Sequence, residues 1–147
     1  MVAVFGIVAA IALPAVATAA PANEHCVYSA TTKQLSCYQT LSAATASGRR
    51  MARTSGDVIA AVVFEHQNYG GASLTLTAPS PCVKNDKIDY WYPLSAAWQK
   101  KISSVQSWGS CWVWLYRQDN SREGPFIGNV PNVGRDIEDQ AVLVGLS

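Results

Sequence analysis

Four cysteines, Cys26, Cys37, Cys82 and Cys111, and two histidines, His25 and His66, carry most of the reactive chemistry open to this 147-residue chain. Four thiols suit either a zinc centre or a pair of disulfides. Structural zinc draws its ligands from close pairs such as C-x2-C. No such pair occurs here, and the histidines are not spaced with the cysteines. An even count in a short exported chain reads instead as a disulfide framework, for which four cysteines allow three connectivities. Cys26 and Cys37 bracket a segment that reads as a hairpin, so these two are expected to pair, leaving Cys82 with Cys111. The second bridge closes the longer loop and by chain entropy contributes about 3–4 kcal/mol.

Catalytic patterns are missing. There is no G-x-S-x-G, no H-E-x-x-H and no glycine-rich phosphate loop. Paired carboxylates for glycoside chemistry are equally unsupported, and the chain is expected not to be an enzyme. A formal net charge of +1 provides no field for steering toward nucleic acid. The basic run Arg49-Arg50-Met51-Ala52-Arg53 reads as a solvated linker. All five tryptophans lie between Trp91 and Trp114, and Asp89-Tyr90-Trp91-Tyr92-Pro93 reads as an aromatic loop. Such a loop covers a core or offers a surface to a protein or sugar.

The elements that must position these side chains fall into three parts. Residues 1–20 are uncharged and apolar or small, interrupted by Pro14 and ending in Ala17-Thr18-Ala19-Ala20, the form of a signal peptide cleaved near Ala19 or Ala20. A positively charged n-region is missing, which fits a start inside a longer leader. The expected product is secreted and extracellular, with no membrane segment after cleavage. Residues 21–56 form an N-terminal extension: two short strands around Cys26 and Cys37, then a helix over 41–47 capped by Thr40 and ended by Gly48. Its Ala- and Thr-rich composition predicts a small contribution to the core. Residues 57–147 are β in texture. Val58-Ile59-Ala60-Ala61-Val62-Val63-Phe64 is β-branched and apolar, and Ser73-Leu74-Thr75-Leu76-Thr77 alternates with period two. Further strands are expected over 102–108, 112–116 and 141–146, in a sandwich or barrel.

Within this region Val63-Phe64-Glu65-His66-Gln67-Asn68-Tyr69-Gly70-Gly71 has an echo in Leu115-Tyr116-Arg117-Gln118-Asp119-Asn120-Ser121-Arg122-Glu123-Gly124. Phe64 aligns with Tyr116, Asn68 with Asn120, and Gly71 with Gly124 after a one-residue insertion. The spacing of Phe64, Tyr69 and Gly71 resembles the Greek-key motif of the βγ-crystallin superfamily, aromatic-x4-aromatic-x-Gly. Trp98-Gln99-Lys100-Lys101-Ile102-Ser103-Ser104-Val105 resembles the Trp-Asn-Asp-x-Ile-Ser-Ser-Val stretch of that family. The resemblance spans residues 57–147 and is nearest to secreted bacterial single-domain members. The second motif departs from the pattern, because Ser121 stands where an aromatic belongs.

The resemblance implies a Greek-key β-sandwich in which a glycine of positive φ lets a ring pack across a folded hairpin, with Ser104 bonding across that hairpin. It also implies calcium, held by an adjacent Asn/Asp pair and a later serine. Here Gln99 and Lys100 replace the pair while Ser103 and Ser104 are kept, Ser104 in the structural role across the hairpin, so the site at Gln99, Lys100 and Ser103 is expected to be degenerate. Asp136, Glu138 and Asp139 form an acidic turn without the paired serine. No cofactor is expected, and any calcium binding is weak. Related crystallin-fold proteins include a metalloproteinase inhibitor. The chain is therefore expected to be a non-enzymatic binding or structural module. An extracellular peptidase or a cell-wall glycan is the partner envisaged, with peptidase inhibition and calcium or carbohydrate binding as alternatives.

Overall fold

The computed structural model describes residues 24–147, so the leader expected over 1–20 lies outside the described residues. Period-two alternation of apolar side chains builds two sheets, because strands hydrophobic on one face must bury it against another layer. The strands are β1 (His25–Tyr28), β2 (Leu35–Tyr38), β3 (Val58–Phe64), β4 (Ser73–Ala78), β5 (Tyr90–Pro93), β6 (Ser104–Ser107), β7 (Val113–Tyr116), β8 (Arg122–Phe126), β9 (Asn129–Val130) and β10 (Leu143–Leu146), with one helix, α1 (Leu41–Ser55). One sheet has the order β2-β1-β4-β3-β6-β9 and the other β5-β10-β7-β8. The expected class, an all-β two-sheet domain with a small disulfide-tied N-terminal extension, is the architecture found. Val63, Leu76, Ile102, Val105, Val113, Leu115, Val144 and Leu146 fill the space between the sheets with almost no exposure. No helix among the described residues is long and apolar enough to cross a membrane.

Three expectations are corrected. The helix does not stop at Gly48 but runs through it to Ser55. A Cβ at Gly48 would lie 3.3 Å from Ile59 Cδ1, so this glycine lets the helix lie close against β3 and is a packing residue. The stop falls at Gly56, in the left-handed conformation with its N–H donating to Ala52 O. The basic run is accordingly helical and no linker. Second, the aromatic stretch expected as a loop is strand β5, paired antiparallel with β10.

Third, the N-terminal segment is part of the core. Strand β1 pairs with β4 in parallel, His25 opposite Ser73 through Tyr28 opposite Leu76, and Cys26, Val27 and Ala44 are buried. Its turn is fastened by Asp57, which accepts hydrogen bonds from Ser29 (3.1 Å), Thr77 (2.9 Å) and Thr31. Burial raises the Asp57 pKa, but the hydroxyls of Thr31, Thr77, Ser29 and Ser55 outweigh it and hold the carboxyl below its ordinary value. Disulfides join Cys26 to Cys37 and Cys82 to Cys111. The second closes a loop that contains β5 and β6, one strand from each sheet.

Candidate functional site

The hairpin motif is built around Ser104 at the start of β6. Its hydroxyl donates to His66 O (2.6 Å) and accepts from Tyr69 N–H (3.0 Å), fastening the folded turn between β3 and β4. Phe64 and Tyr69 meet edge to face at 5.5 Å. Gly71 has φ +72°, and a Cβ there would come within 2.7 Å of His66 Cδ2. The ring lying over the glycine is thus the imidazole of His66, which occupies the space a side chain would need.

The two halves of the domain are related by a pseudo-twofold arrangement of backbone bonds. Ser103 N–H donates to Phe64 O and Val142 N–H to Tyr116 O; Lys100 N–H donates to Ala141 O and Asp139 N–H to Ile102 O. Lys100 and Asp139 both take positive φ, 60° and 55°. Ser103 therefore corresponds to Val142, Lys100 to Asp139 and Glu65 to Arg117. The sequence places Ser103 with Gln99 and Lys100, but the structure gives it other partners. Ser103 Oγ donates to Glu65 O (2.9 Å) and lies 3.3 Å from Asp139 Oδ1, whereas the Gln99 side chain bonds to Leu94 O. Asp139 is the member of this group that sequence reasoning set aside as a turn. Only the pseudo-symmetry, visible once Ala141 is aligned with Ile102, points to it.

Calcium takes six to eight hard oxygen ligands. On the Lys100 side of the pseudo-twofold, the places of Asp139 and Ser103 are taken by Lys100 and Val142, a cation and an alkyl group, which do not fit it. The opposite side brings together the Glu65 carbonyl, Ser103 Oγ and Asp139 Oδ1, a set of oxygens that fits a hard cation. Flanking contacts are the Lys101–Glu65 ion pair at 3.7 Å and the Gln67–Glu138 hydrogen bond at 2.7 Å.

A second cluster lies on the solvent face of the four-stranded sheet. Alternation along β5 buries Tyr92 (4% exposed) and leaves Trp91 half exposed (51%). Gly145 on β10 stands opposite both Trp91 and Trp114. A Cβ at Gly145 would meet Tyr116 Cε2 at 3.0 Å and Ile88 Cγ2 at 3.2 Å, so the missing side chain lets the Tyr116 ring and Ile88 close over the strand. Trp91 and Tyr116 lie 5.1 Å apart. The Arg122 guanidinium sits 4.1 Å above Trp114 and donates to Tyr116 Oη at 3.0 Å. Lys84 Nζ sits 4.1 Å above Trp112 and donates to Ser147 O at 2.8 Å. Burial pulls the Lys84 pKa below its ordinary value, opposed by the Asp89 carboxylate. Beside these stacks is a concavity of about 210 Å³ reaching Asn85 and Asp86. Such a surface recognises ring faces, C–H groups and acceptors. The tryptophans were visible in the sequence, whereas the positions of Arg122, Lys84 and Gly145 beside them depend on strand register.

Neither histidine is arranged for catalysis. His25 Nδ1 meets Ser73 Oγ at 2.9 Å, but Ser73 has no exposed surface and is out of reach of a substrate. His66 is the hairpin ring already described.

No family model and no curated protein matches the chain. Among solved structures it is similar to a βγ-crystallin domain from Clostridium beijerinckii, at 23% identity over 59% of this chain and 95% of that one, with a TM-score of 0.43. A double mutant of that domain aligns at 24% identity over 60% and 97%, TM-score 0.45. A clostrillin double mutant in complex with nickel aligns at 20% identity over 60% and 98%, TM-score 0.43.

Proposed function

We propose that this chain is a secreted, non-enzymatic βγ-crystallin-like module that binds a carbohydrate on the solvent face of the β5-β10-β7-β8 sheet. The observation that carries this reading is the half-exposed Trp91 ring held against Tyr116 beside Gly145. It is flanked by the Arg122–Trp114 and Lys84–Trp112 stacks. A sugar ring offers axial C–H groups to aromatic faces and hydroxyls to cationic donors, and a rigid sheet presents both without an ordering cost. Two disulfides support an oxidising, extracellular setting. The test is a titration of the mature chain's tryptophan fluorescence with cell-wall and storage oligosaccharides. Saturable quenching is expected, weakened about tenfold or more by Trp91→Ala. Flat titrations across the glycan panel, together with inhibition of an extracellular metallopeptidase, replace this reading with the inhibitor one.

A second reading, a calcium-stabilised module, is favoured by the Glu65–Ser103–Asp139 oxygens. It predicts a melting temperature that rises with calcium, since a ligand of the native state alone stabilises it, and loss of that rise in Asp139→Asn. An unchanged midpoint at millimolar calcium removes it.

A further inference from the structure

The cleft between α1 and the six-stranded sheet lies away from both sites above. Its floor is a row across three strands, Thr75 on β4 opposite Val62 on β3 opposite Gln106 on β6. Its walls are Thr45 and Arg49, one turn apart on α1, and Trp108 at the end of β6, and it encloses about 130 Å³.

Three independent features mark this cleft as built for a ligand. Thr75 is 1% exposed, yet its Oγ1 has no hydrogen-bond partner, the one such buried side-chain atom among the described residues. A buried hydroxyl without a partner costs about 1–3 kcal/mol, and Thr75 is among the residues that line this cleft. Trp108 is half exposed (50%) at the rim, with its ring available for stacking. The helix wall is strongly one-signed: α1 carries Arg49, Arg50 and Arg53 and no acidic residue, and neither ion pair among the described residues involves any of them.

We infer that this cleft binds a single sugar ring carrying a carboxylate, a uronic or muramic acid unit, with the carboxylate on Arg49 and ring hydroxyls on Thr75 and Gln106. Planar guanidinium recognises carboxylate through paired N–H donors, and the indole of Trp108 takes the apolar face of the ring. The volume admits one edge of a pyranose and leaves the rest of a polymer in solvent. Nucleic-acid phosphates would also pair with the arginines, and the neutral-sugar and DNA arms of the test below separate them. The site shares no residue with the sheet face around Trp91, so it stands or falls separately from it.

The experiment is an NMR titration of the mature chain, following indole N–H resonances assigned through Trp108→Phe and Trp91→Phe. The probes are D-glucuronate and, as a neutral control, methyl glucoside. Saturable millimolar shifts of the Trp108 resonance are expected with glucuronate, about tenfold weaker with methyl glucoside and with Arg49→Gln. Thr75→Val is the decisive variant. Removing an orphaned hydroxyl should leave the melting temperature unchanged or higher, and binding should weaken about tenfold all the same. Undiminished binding by Thr75→Val overturns the inference, as does equal affinity for the two probes. Shifts that include the Trp91 resonance and spare Trp108 would also overturn it by assigning the sugar to the other face. A flat glucuronate titration alongside tight single-stranded DNA binding would overturn it in favour of phosphate.

Discussion

The two halves of the domain share one backbone latch and differ in nearly every side chain attached to it. In the first half, Ser104 ties the hairpin turn and Ser103 gathers oxygens from Glu65 and Asp139. In the second, Leu143 and Val142 occupy those places. The turn is held instead by Arg117, which donates to Ser121, Glu123 and the Asp136 carbonyl, and by Asp119, whose carboxyl is held below its ordinary value mainly by the hydrogen bond from the Ser121 hydroxyl. Its strands turn rings and cations outward where the other sheet lies under a helix. The repeated backbone bonds fix the architecture, while the side chains on each copy are free to take up separate chemistry.

The largest effect that would sharpen this contrast is on packing. Phe64, fully buried, should lose about 3–5 kcal/mol on truncation to Ala in urea unfolding. Its counterpart Tyr116, whose ring lies on the Trp91 face, should lose clearly less. Equal losses would mean that the second hairpin is as much core as the first. Next is the latch: Ser104→Ala leaves Tyr69 N–H and His66 O without their partner and should cost about 1–3 kcal/mol, read in the same unfolding experiment.

Acid should separate the extension from the rest. Because the folded Asp57 pKa is depressed, its contribution is fully present above the ordinary carboxyl value of 3.8 and is lost as pH falls through the lower folded value. Amide exchange in β1 and β2 should accelerate over that window before exchange in β7 and β10 does, and Asp57→Asn should abolish the difference. The smallest effect is a graft. Replacing Lys100 with Asp and Val142 with Ser, beside the Arg117 carbonyl already in place, gives the second half the oxygens of the first. At calcium ten times the dissociation constant the stabilisation is about 1.4 kcal/mol, so a rise of a few degrees in melting temperature beyond that of the parent chain is expected. No added rise would mean that backbone equivalence is not enough to make a cation site.

The strands that alternate or run β-branched, β3 and β4 above all, were legible from residue type, although both are largely buried on both faces. Others were not. Gly48 looked like a stop because helix signals do not distinguish a capping glycine from one pressed against Ile59. Strand β5 looked like a loop because Pro93 and three consecutive aromatics mask its alternation. Strand β8, with Gly124 and Pro125 inside it, carries breaker residues throughout. Of the candidate sites, the hairpin residues could be read from spacing. The grouping of Ser103 with Asp139, of Trp91 with Arg122 and Lys84, and of Thr75 with Trp108 and Arg49 depends on register between distant strands, which no local pattern encodes.

The parallel pairing of β1 with β4 also bears on how the chain reaches its native state. Each residue of β1 is matched to one forty-eight positions later in the chain, so this strand, the first among the described residues, has no partner in its own sheet beyond β2 until β4 has been made. Closing so long a loop is slow compared with forming hairpins. The β1–β2 segment is therefore among the last of the described strands to dock, and during that interval it is open to a protease, a chaperone or a wandering thiol.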